Sequence, residues 1–441
     1  MPGQITELRL SAFKSYHQAV IPLAPLAVLI GRNGSGKSNA LEALEMLSRL
    51  AKGEEIRDAI EGNRRDAAPV RGGIEGTAPD GADTFALGVT VLTAAGTSVS
   101  LDLTVRVRPV VQIVHERLCG HVQGQIRTLL ETLEPSPERS DIEAKVWNGS
   151  RGRNPHMTFR SSRLLSAQLP LRLGGKTDGE RQLLQLTTEV LAVLAGVFHL
   201  DPVPHLMRQY VPEHDVVLRR TADNLSGAVA RLQRDDKMKF QQLVAVVRTL
   251  PEYEVSTLEV GRGGFGEVMI ALEEKRGRGR SLVPARQMSD GMLRVLAIVT
   301  ALLSGGGGLA IGSAEVGAPR SLSLVIEEIE NGLHPSQAAD LLALIKETSR
   351  AQGYHVVLTT HSPVLLNALT GEDHRGVVVI QRDRTSGATT ARPLVEIPGY
   401  LRTMAGQRLG DAVTAGRIGS GATVAPGPVT DAELDALLSV G

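Results

Sequence analysis

The sequence predicts an α/β fold built on a mixed sheet with flanking helices, and two observations support that prediction. Leu26 to Ile30 is a continuous apolar run, which is typical of a buried parallel strand, and a glycine-rich loop and a helical pattern follow it directly. From residue 289 onward helical and strand patterns alternate, as helix 289–303, strand 322–326, helix 335–351 and strands 355–360 and 376–381. Such alternation is typical of a parallel sheet covered by helices.

Shorter patterns predict the remaining elements. Alternating apolar and polar residues predict one hairpin over 5–10 and 18–23 and another over 84–93 and 98–108. Residues 53–83 are polar and glycine-rich, and we expect a loop there. Between the two halves of the chain the patterns predict helices at 122–133, 180–196 and 223–250, and strands at 141–147, 156–160 and 266–273.

These elements predict two lobes that a large mixed insert separates. The predicted bounds are 1–110 for the first lobe, 111–255 for the inserted α/β region, 256–414 for the second lobe and 415–441 for a flexible linker with a short terminal helix. The linker is rich in Gly, Ala and Pro. Thr430 and Glu433 then have the spacing of a capping box, which predicts the terminal helix over 430–438.

Composition constrains the partners only weakly. Lys and Arg total 48 and so do Asp and Glu, which gives a net charge of zero and no general argument for nucleic acid or membrane. Basic clusters within 151–163 and 275–286 are the candidate sites for DNA or RNA, although aromatic residues for base stacking make up only 3% of the chain. A single cysteine, Cys119, excludes an internal disulfide. With neither a signal-peptide pattern nor an apolar run of about 20 residues, we expect a cytoplasmic protein without a membrane span.

Gly31 to Ser38 has the G-x-x-x-x-G-K-S spacing of a phosphate-binding loop. Its glycines let the backbone curl so that successive N–H groups point at a phosphate, and the following helix directs its positive end to the same anion. Lys37 is expected to contact the β- and γ-phosphates of a nucleoside triphosphate, and Ser38 to ligate Mg²⁺. A chance match is disfavoured because a strand is predicted before the loop and a helix after it.

Two carboxylates, Glu327 and Glu328, follow the predicted strand that ends at Ile326. In nucleotide-hydrolysing sites the first such carboxylate holds Mg²⁺, usually through water, and the second acts as general base on the attacking water. We therefore predict Glu327 as a metal ligand and Glu328 as a catalytic residue. The alternative, an acidic strand end that faces solvent, is disfavoured by the phosphate loop earlier in the chain.

Two further features gain meaning from this context. Ser289-Asp-Gly291 begins a predicted helix, where a serine hydroxyl and the helix N-terminus can bind an anion, although alone it would be an ordinary N-cap. His361 follows an apolar strand in Thr-Thr-His-Ser-Pro, where an isolated histidine would usually be structural. Their order along the chain, before and after the two carboxylates, favours a functional role over a structural one.

Together these motifs resemble the ABC ATPases of the SMC, RecF and overcoming-lysogenization-defect type. The resemblance covers 5–51 and 280–381, and its quoted segments are Leu8-Arg-Leu-Ser-Ala-Phe13-Lys14-Ser15, the phosphate loop with Asn39 after it, Ser289-Asp-Gly291-Met-Leu-Arg294, Glu330-Asn-Gly-Leu-His334-Pro335 and Thr360-His361-Ser362-Pro363. Glu327 departs from the family pattern, which usually has Asp there, and Ile329 replaces the usual proline.

The resemblance implies an ABC-type ATPase head in which ATP and Mg²⁺ lie between two copies of the chain. It implies that 330–334 crosses the interface between the copies, and that Lys14 and Ser15 lie near the adenine and ribose. The predicted catalytic residues are Lys37, Glu328 and His361; the predicted nucleotide-binding residues are Lys14, Ser15, Gly31, Asn33, Gly34, Ser35, Gly36, Lys37, Ser38, Asn39, Ser289 and Gly291; and the predicted metal ligands are Ser38 and Glu327.

The implied function is a slow ATPase that dimerises around ATP and serves as a sensor or motor. The residues after His361 offer no acidic cluster for a fused Toprim nuclease, so we expect a separate effector, a nuclease or toxin, with anti-phage defence as the context. Two alternatives stay open. One is a RecF-like DNA-repair ATPase that binds DNA directly, and the other is a slow-turnover scaffold that uses ATP to assemble.

Overall fold

A computed structural model describes residues 2–62, 69–122, 124–134, 140–150, 153–249, 254–276, 279–311 and 321–418. Its strands are β1 Gln4–Phe13, β2 Tyr16–Pro22, β3 Leu26–Ile30, β4 Thr84–Leu92, β5 Ser98–Arg106, β6 Gln112–Val122, β7 Gln125–Thr132, β8 Asp141–Val146, β9 His156–Arg160, β10 Val197–Leu200, β11 Val211–Pro212, β12 Val255–Arg262, β13 Glu267–Arg276, β14 Gly279–Pro284, β15 Ser323–Ile326, β16 His355–Thr360, β17 Val377–Arg382 and β18 Thr389–Pro393. Its α-helices are α1 Lys37–Ala51, α2 Ile56–Glu61, α3 Leu165–Arg172, α4 Asp178–Ala195, α5 Pro204–Met207, α6 Leu225–Asp235, α7 Lys237–Thr249, α8 Asp290–Ser304, α9 Pro335–Gln352, α10 Pro363–Asn367, α11 Tyr400–Met404 and α12 Leu409–Thr414.

Within the described residues, fourteen strands form one mixed sheet in the order β10-β15-β16-β3-β17-β18-β2-β1-β4-β5-β6-β7-β8-β9. The first five of these strands are parallel, and the pairs from β1 to β9 are antiparallel. The predicted α/β fold with a mixed sheet and flanking helices is confirmed. The strands β6 to β9 continue the sheet that β1, β4 and β5 begin, and a smaller sheet contains β11 to β14.

Burial on both faces explains the continuous apolar run of β3. Val28 and Ile30 pack into a core on one face, together with α6 to α9. Ala27 and Leu29 pack into a second core on the other face, which includes α1, α4 and the antiparallel strands. A central parallel strand covered in this way has no solvent-facing side, and every position is therefore apolar.

The predicted helix over 122–133 is wrong. The segment forms a hairpin of β6 and β7, with Gly124 at a positive φ of 75° in the turn. Leu129 and Leu130 are both buried, a spacing that resembles a helical face. A register shift between Leu118 and Cys119 in the partner strand accompanies this burial of adjacent residues, because a bulge disturbs the strict alternation of a strand.

The other predicted elements in the described residues agree with the structure within a few residues. The predicted helix 223–250 is divided into the two helices α6 and α7. The short helix α2 lies in the segment predicted as loop. The predicted terminal helix and most of the linker lie outside the described residues. None of the helices in the described parts of the chain combines the length and the apolar character needed to cross a bilayer.

Glu116 in β6 is the most deeply buried acid, and it predicts a pH dependence of stability. Its carboxylate accepts hydrogen bonds from the backbone N–H groups of Leu165 (2.6 Å) and Ser166 (2.7 Å) at the start of α3. Burial raises its pKa to about 7, although these hydrogen bonds act in the opposite direction. Because the folded pKa lies above the unfolded value of 4.5, the folded protein binds more protons between pH 4.5 and 7.

The free energy of unfolding should therefore fall as pH rises through this window, by at most about 3 kcal/mol from this group. We expect Glu116→Gln to remove this slope while lowering stability overall, since an amide cannot accept both hydrogen bonds. Urea midpoints at pH 5, 6, 7 and 8 measure the effect. Glu347→Gln, at an exposed position of α9, is the control. The same slope in wild type and Glu116→Gln would show that Glu116 does not titrate in this range.

Candidate functional site

The phosphate loop connects β3 to α1 at the carboxyl end of the parallel strands. Gly36 is the N-cap of α1 and has a φ of 109°, a conformation that side chains rarely adopt. A Cβ on Gly36 would lie 2.9 Å from the Thr389 side chain. The Lys37 ammonium donates to the carbonyl oxygens of Gly31 (2.6 Å) and Arg32 (3.2 Å), and it therefore already lies inside the curve of the loop.

Ser15, Asn39 and Thr389 support the loop from outside. Asn39 Nδ2 donates to Ser15 Oγ at 2.9 Å, and Thr389 Oγ1 lies 2.8 Å from the same oxygen. Thr389 Oγ1 also lies 2.9 Å from the Ser35 carbonyl oxygen. The structure thus brings the predicted residues Ser15 and Asn39 together. Thr389 was missed, because it lies at the start of β18, far along the chain and outside any motif.

Lys14 lies close to the loop but has protein partners of its own. Its ammonium forms an ion pair with the buried Glu42 of α1 and donates to the Arg71 carbonyl oxygen at 2.9 Å. Only 8% of its side chain is exposed. Contact between Lys14 and the ribose stays a prediction. In the structure, Lys14 instead links the backbone of Arg71 to Glu42 of α1.

Ser38 and Glu327 meet at the predicted metal site. Ser38 Oγ donates to Glu327 Oε2 at 3.2 Å, across 289 positions of sequence. Arg71 approaches the other carboxylate oxygen of Glu327, with its Nη2 3.5 Å from Oε1. The Nε of the same guanidinium pairs with Glu42 at 2.8 Å. Sequence reasoning missed Arg71, because it belongs to a polar, glycine-rich segment without a recognised spacing.

These oxygen donors fit a magnesium ion that arrives with a nucleotide. Mg²⁺ is usually held by one or two protein oxygens together with substrate phosphates and water molecules. Ser38 and Glu327 supply two such oxygens at the loop where phosphates are expected. Among the residues that the structure describes, no group of three or more His, Cys, Asp or Glu side chains could hold a metal without such help.

Glu328 has a fixed backbone and a directed carboxylate. Its φ is 45°, in the left-handed region that is unfavourable for a residue with a side chain. Its N–H donates to Thr359 Oγ1 (3.0 Å), and Asn331 Nδ2 donates to its Oε2 (2.8 Å). His361 Nδ1 is 3.7 Å from the other oxygen, Oε1. This arrangement leaves Oε1 as the acceptor for a water molecule.

Glu330 holds the segment after β16 in place. One of its oxygens accepts from Thr360 Oγ1 (2.8 Å) and from the N–H groups of His361 (2.8 Å) and Ser362 (3.1 Å). The same oxygen lies 3.3 Å from His361 Nδ1. The predicted residue His361 thus lies between Glu328 and Glu330, and its side chain is 45% exposed. Glu330 is therefore a positioning residue that the motif indicated only by its place in the segment 330–334.

The charges around Lys37 oppose one another. Burial lowers the pKa of Lys37, while the negative charges of Glu328, Glu330 and Glu327 raise it in part. Three carboxylates and one ammonium face the same space, so a phosphate group needs further positive charge to enter. A divalent cation bound with the nucleotide would supply such charge, together with the N-terminus of α1.

Ser289 and Gly291 lie at the start of α8, on a different element from the phosphate loop. Ser289 Oγ accepts from Met292 N–H at 3.2 Å as the N-cap of α8. A Cβ on Gly291 would lie 2.1 Å from the Gly332 carbonyl oxygen, so the segment 330–334 packs directly on the helix start. Arg208 Nη2 donates to Asp290 Oδ1 at 2.6 Å and partly neutralises the acid at this position.

Several known proteins are similar to this chain. A curated relative, the DNA replication and repair protein RecF of Cyanothece sp., is 44% identical over 55 residues, which cover 12% of this chain and 15% of the relative. The chain therefore spans only a small part of the length of that relative.

Solved SMC heads also resemble the chain at low identity. The SMC head domain from Thermotoga maritima has a TM-score of 0.40 and 12% identity, covering 88% of this chain and 98% of that one. An SmcHead bound to the C-winged helix domain of ScpA has a TM-score of 0.46 and 15% identity, covering 88% and 97%.

One family model covers most of the chain. The model described as "AAA domain, putative AbiEii toxin, Type IV TA system" matches residues 26–367, more than three-quarters of the sequence. The match includes the phosphate loop, the start of α8, both carboxylates after β15 and His361. The chain therefore belongs to this AAA-domain family, and the short RecF match agrees with the resemblance that the motifs indicated.

Proposed function

We propose that this protein is an ATPase that binds ATP and Mg²⁺ at the phosphate loop and hydrolyses ATP between two copies of itself. The observation that carries the proposal is the contact of Ser38 with Glu327, which joins two motifs that lie 289 positions apart in the sequence. Lys37 and Glu328 lie in the same cluster of charges. Membership in a family described as an AAA domain supports a nucleotide as the ligand.

The chemistry of hydrolysis follows from the positions of the side chains. Lys37 neutralises the phosphates, and Ser38 and Glu327 would hold Mg²⁺, which supplies charge for the leaving phosphate oxygens. Glu328 accepts the proton of the attacking water at Oε1, because Asn331 occupies Oε2. His361, beside that oxygen, orients the water or the γ-phosphate.

The need for a second copy rests on Ser289. In the described residues its hydroxyl accepts a hydrogen bond from its own helix, and the phosphate loop is supported by Thr389 of β18. Ser289 caps the N-terminus of α8, and Arg208 donates a hydrogen bond to Asp290 beside it. This helix end therefore suits the γ-phosphate of a nucleotide that a second chain holds. The segment 330–334, packed on Gly291, would lie in the same interface.

Dimer closure on ATP and opening after hydrolysis form a two-state switch. We propose that this switch is a sensor or motor for a separate effector, a nuclease or toxin, in anti-phage defence. The description of the matched family, which names a toxin of a toxin–antitoxin system, supports a link to a toxic activity.

Mixing two defective variants tests the shared site. Lys37→Ala removes one half of each site, and Ser289→Arg blocks the other half. Each variant alone should lack ATPase activity, and an equimolar mixture should regain about a quarter of the wild-type rate, because half of random dimers have one intact site out of two. Met238→Arg, at a position 78% exposed on α7, is the control. Full activity of Ser289→Arg alone would contradict the proposal.

A RecF-like enzyme that acts on DNA is the second candidate, favoured by the 55-residue match. In the basic cluster at 275–286, Lys275 pairs with Glu254 (2.9 Å) and Arg280 with Glu273 (3.2 Å), which reduces the free charge there. Stimulation of the ATPase by DNA, lost on charge reversal at Arg280 and Arg286, would favour this candidate.

Full function of a Glu328→Gln variant would instead favour an ATP-binding scaffold.

A further inference from the structure

His199 is a buried histidine beside the proposed metal site, and no sequence motif contains it. It is the third residue of β10 and lies opposite Val325 of β15, the strand that leads to Glu327. Only 3% of its side chain is exposed. Its Nδ1 lies 2.9 Å from Glu45 Oε2 of α1, and its Nε2 lies 3.6 Å from Glu327 Oε1. Nε2 has no hydrogen-bond partner among the described residues.

Glu45 engages Nδ1 of His199 as a hydrogen-bond donor. Burial opposes ionisation of Glu45, but the hydrogen bond from His199 and the charges of Arg220 and Arg49 lower its pKa to about 2. Arg220 Nη1 lies 2.7 Å from both oxygens of this carboxylate. An ionised carboxylate can only accept, so Nδ1 of His199 is the donor to Glu45, and Nε2 is the ring nitrogen that has no partner among the described residues.

Within the described residues, His199 Nε2 therefore lies without a partner 3.6 Å from Glu327 Oε1, an oxygen that Arg71 also approaches at 3.5 Å. A buried acceptor without a donor costs about 1–3 kcal/mol. One molecule can satisfy both: a water molecule that directs one O–H to the ring nitrogen and the other to the carboxylate. Mg²⁺ usually keeps several such water molecules when a protein binds it.

We propose that His199 completes the divalent-metal site by accepting, at Nε2, a hydrogen bond from a water molecule of the ion's hydration shell. This inference rests on the proposed function. Glu45, at the far side of the ring, is the positioning residue that fixes its orientation. Residues that orient metal-bound groups in this way typically change metal affinity by about 10- to 100-fold when removed.

Manganese is the probe, because free Mn²⁺ can be counted by electron paramagnetic resonance. Titrations use the full chain with saturating AMP-PNP, and AMP-PNP binding is also measured with EDTA present. His199→Phe keeps a flat ring and removes the acceptor. We expect it to weaken Mn²⁺ binding at least about tenfold, with metal-free AMP-PNP binding unchanged.

Two further variants make the result specific. His199→Gln can place an amide oxygen near the position of Nε2, and it should lose less Mn²⁺ affinity than His199→Phe. His355→Phe is the matched control, because His355 is also buried with an unpartnered Nε2, but lies opposite Ser323 at the other end of β15. It should bind Mn²⁺ like the wild type.

Wild-type Mn²⁺ affinity in folded His199→Phe and His199→Gln would overturn the inference. An equal loss of AMP-PNP binding with and without metal would also overturn it, because the effect would then belong to the loop rather than to the metal. If the wild type bound no AMP-PNP at all, the proposed function would fail together with the inference, and the first titration would already show this.

Discussion

We expect Glu328→Gln to lose ATP hydrolysis by about 10²- to 10⁴-fold while it still binds ATP, which is the range for removal of a general base. The amide has the same shape and can still accept the hydrogen bond that Asn331 donates at 2.8 Å. It cannot take a proton from water, and this alone should reduce kcat. Phosphate release under saturating ATP measures kcat, and a separate titration measures the affinity for the nucleotide.

Two controls separate this effect from the loss of a negative charge. Glu347→Gln removes a carboxylate from the exposed face of α9 and should leave hydrolysis unchanged. Asn331→Ala frees Glu328 Oε2 and should lower kcat less than Glu328→Gln, because the base remains. A kcat for Glu328→Gln within about threefold of the wild type would mean that Glu328 is not the general base.

The second large effect is expected for Lys37→Ala, which should weaken ATP binding by roughly 10- to 150-fold. This range corresponds to one charge-assisted hydrogen bond of about 1.5–3 kcal/mol. The Lys37 ammonium already lies within the loop, on the carbonyl oxygens of Gly31 and Arg32. Its loss removes the ammonium that partly offsets the repulsion of phosphate by Glu327, Glu328 and Glu330. Isothermal titration calorimetry with ATP and Mg²⁺ measures the affinity for ATP.

Lys52→Ala is the matched control, because Lys52 caps the opposite end of the same helix. Burial lowers the pKa of Lys52 to about 8, so this lysine is also held in a confined environment. Its removal should leave ATP affinity unchanged. Equal weakening in both variants would show that the stability of α1, rather than the charge at the loop, determines nucleotide binding.

The sequence predicted the parts of the site that depend on local spacing. The run from Leu26 to Ser38 contains a strand, a turn and a helix start in consecutive residues, so one segment determines its own geometry. The strand before Glu327 was predicted for the same reason. The hairpin of β6 and β7 was not, because pairing with distant strands outweighs a locally helical spacing.

Contacts between distant segments explain what the sequence could not predict. Thr389 supports Ser15 and Ser35 from a strand near the other end of the chain. Arg71 reaches Glu327 from a glycine-rich segment, and His199 reaches it from a four-residue strand. None of these residues has a spacing that indicates its role, since each role depends on the order of strands in the sheet.

The central claim is that ATP joins two copies of this chain, and the molecular mass in solution tests it most directly. Light scattering on Glu328→Gln, with and without ATP and Mg²⁺, uses a variant that should retain its nucleotide, and Lys37→Ala serves as the control. We predict that the mass of Glu328→Gln doubles only with ATP, and that Lys37→Ala keeps the same mass throughout. The same mass for both variants in every condition would contradict the account, because the nucleotide would then not hold the copies together.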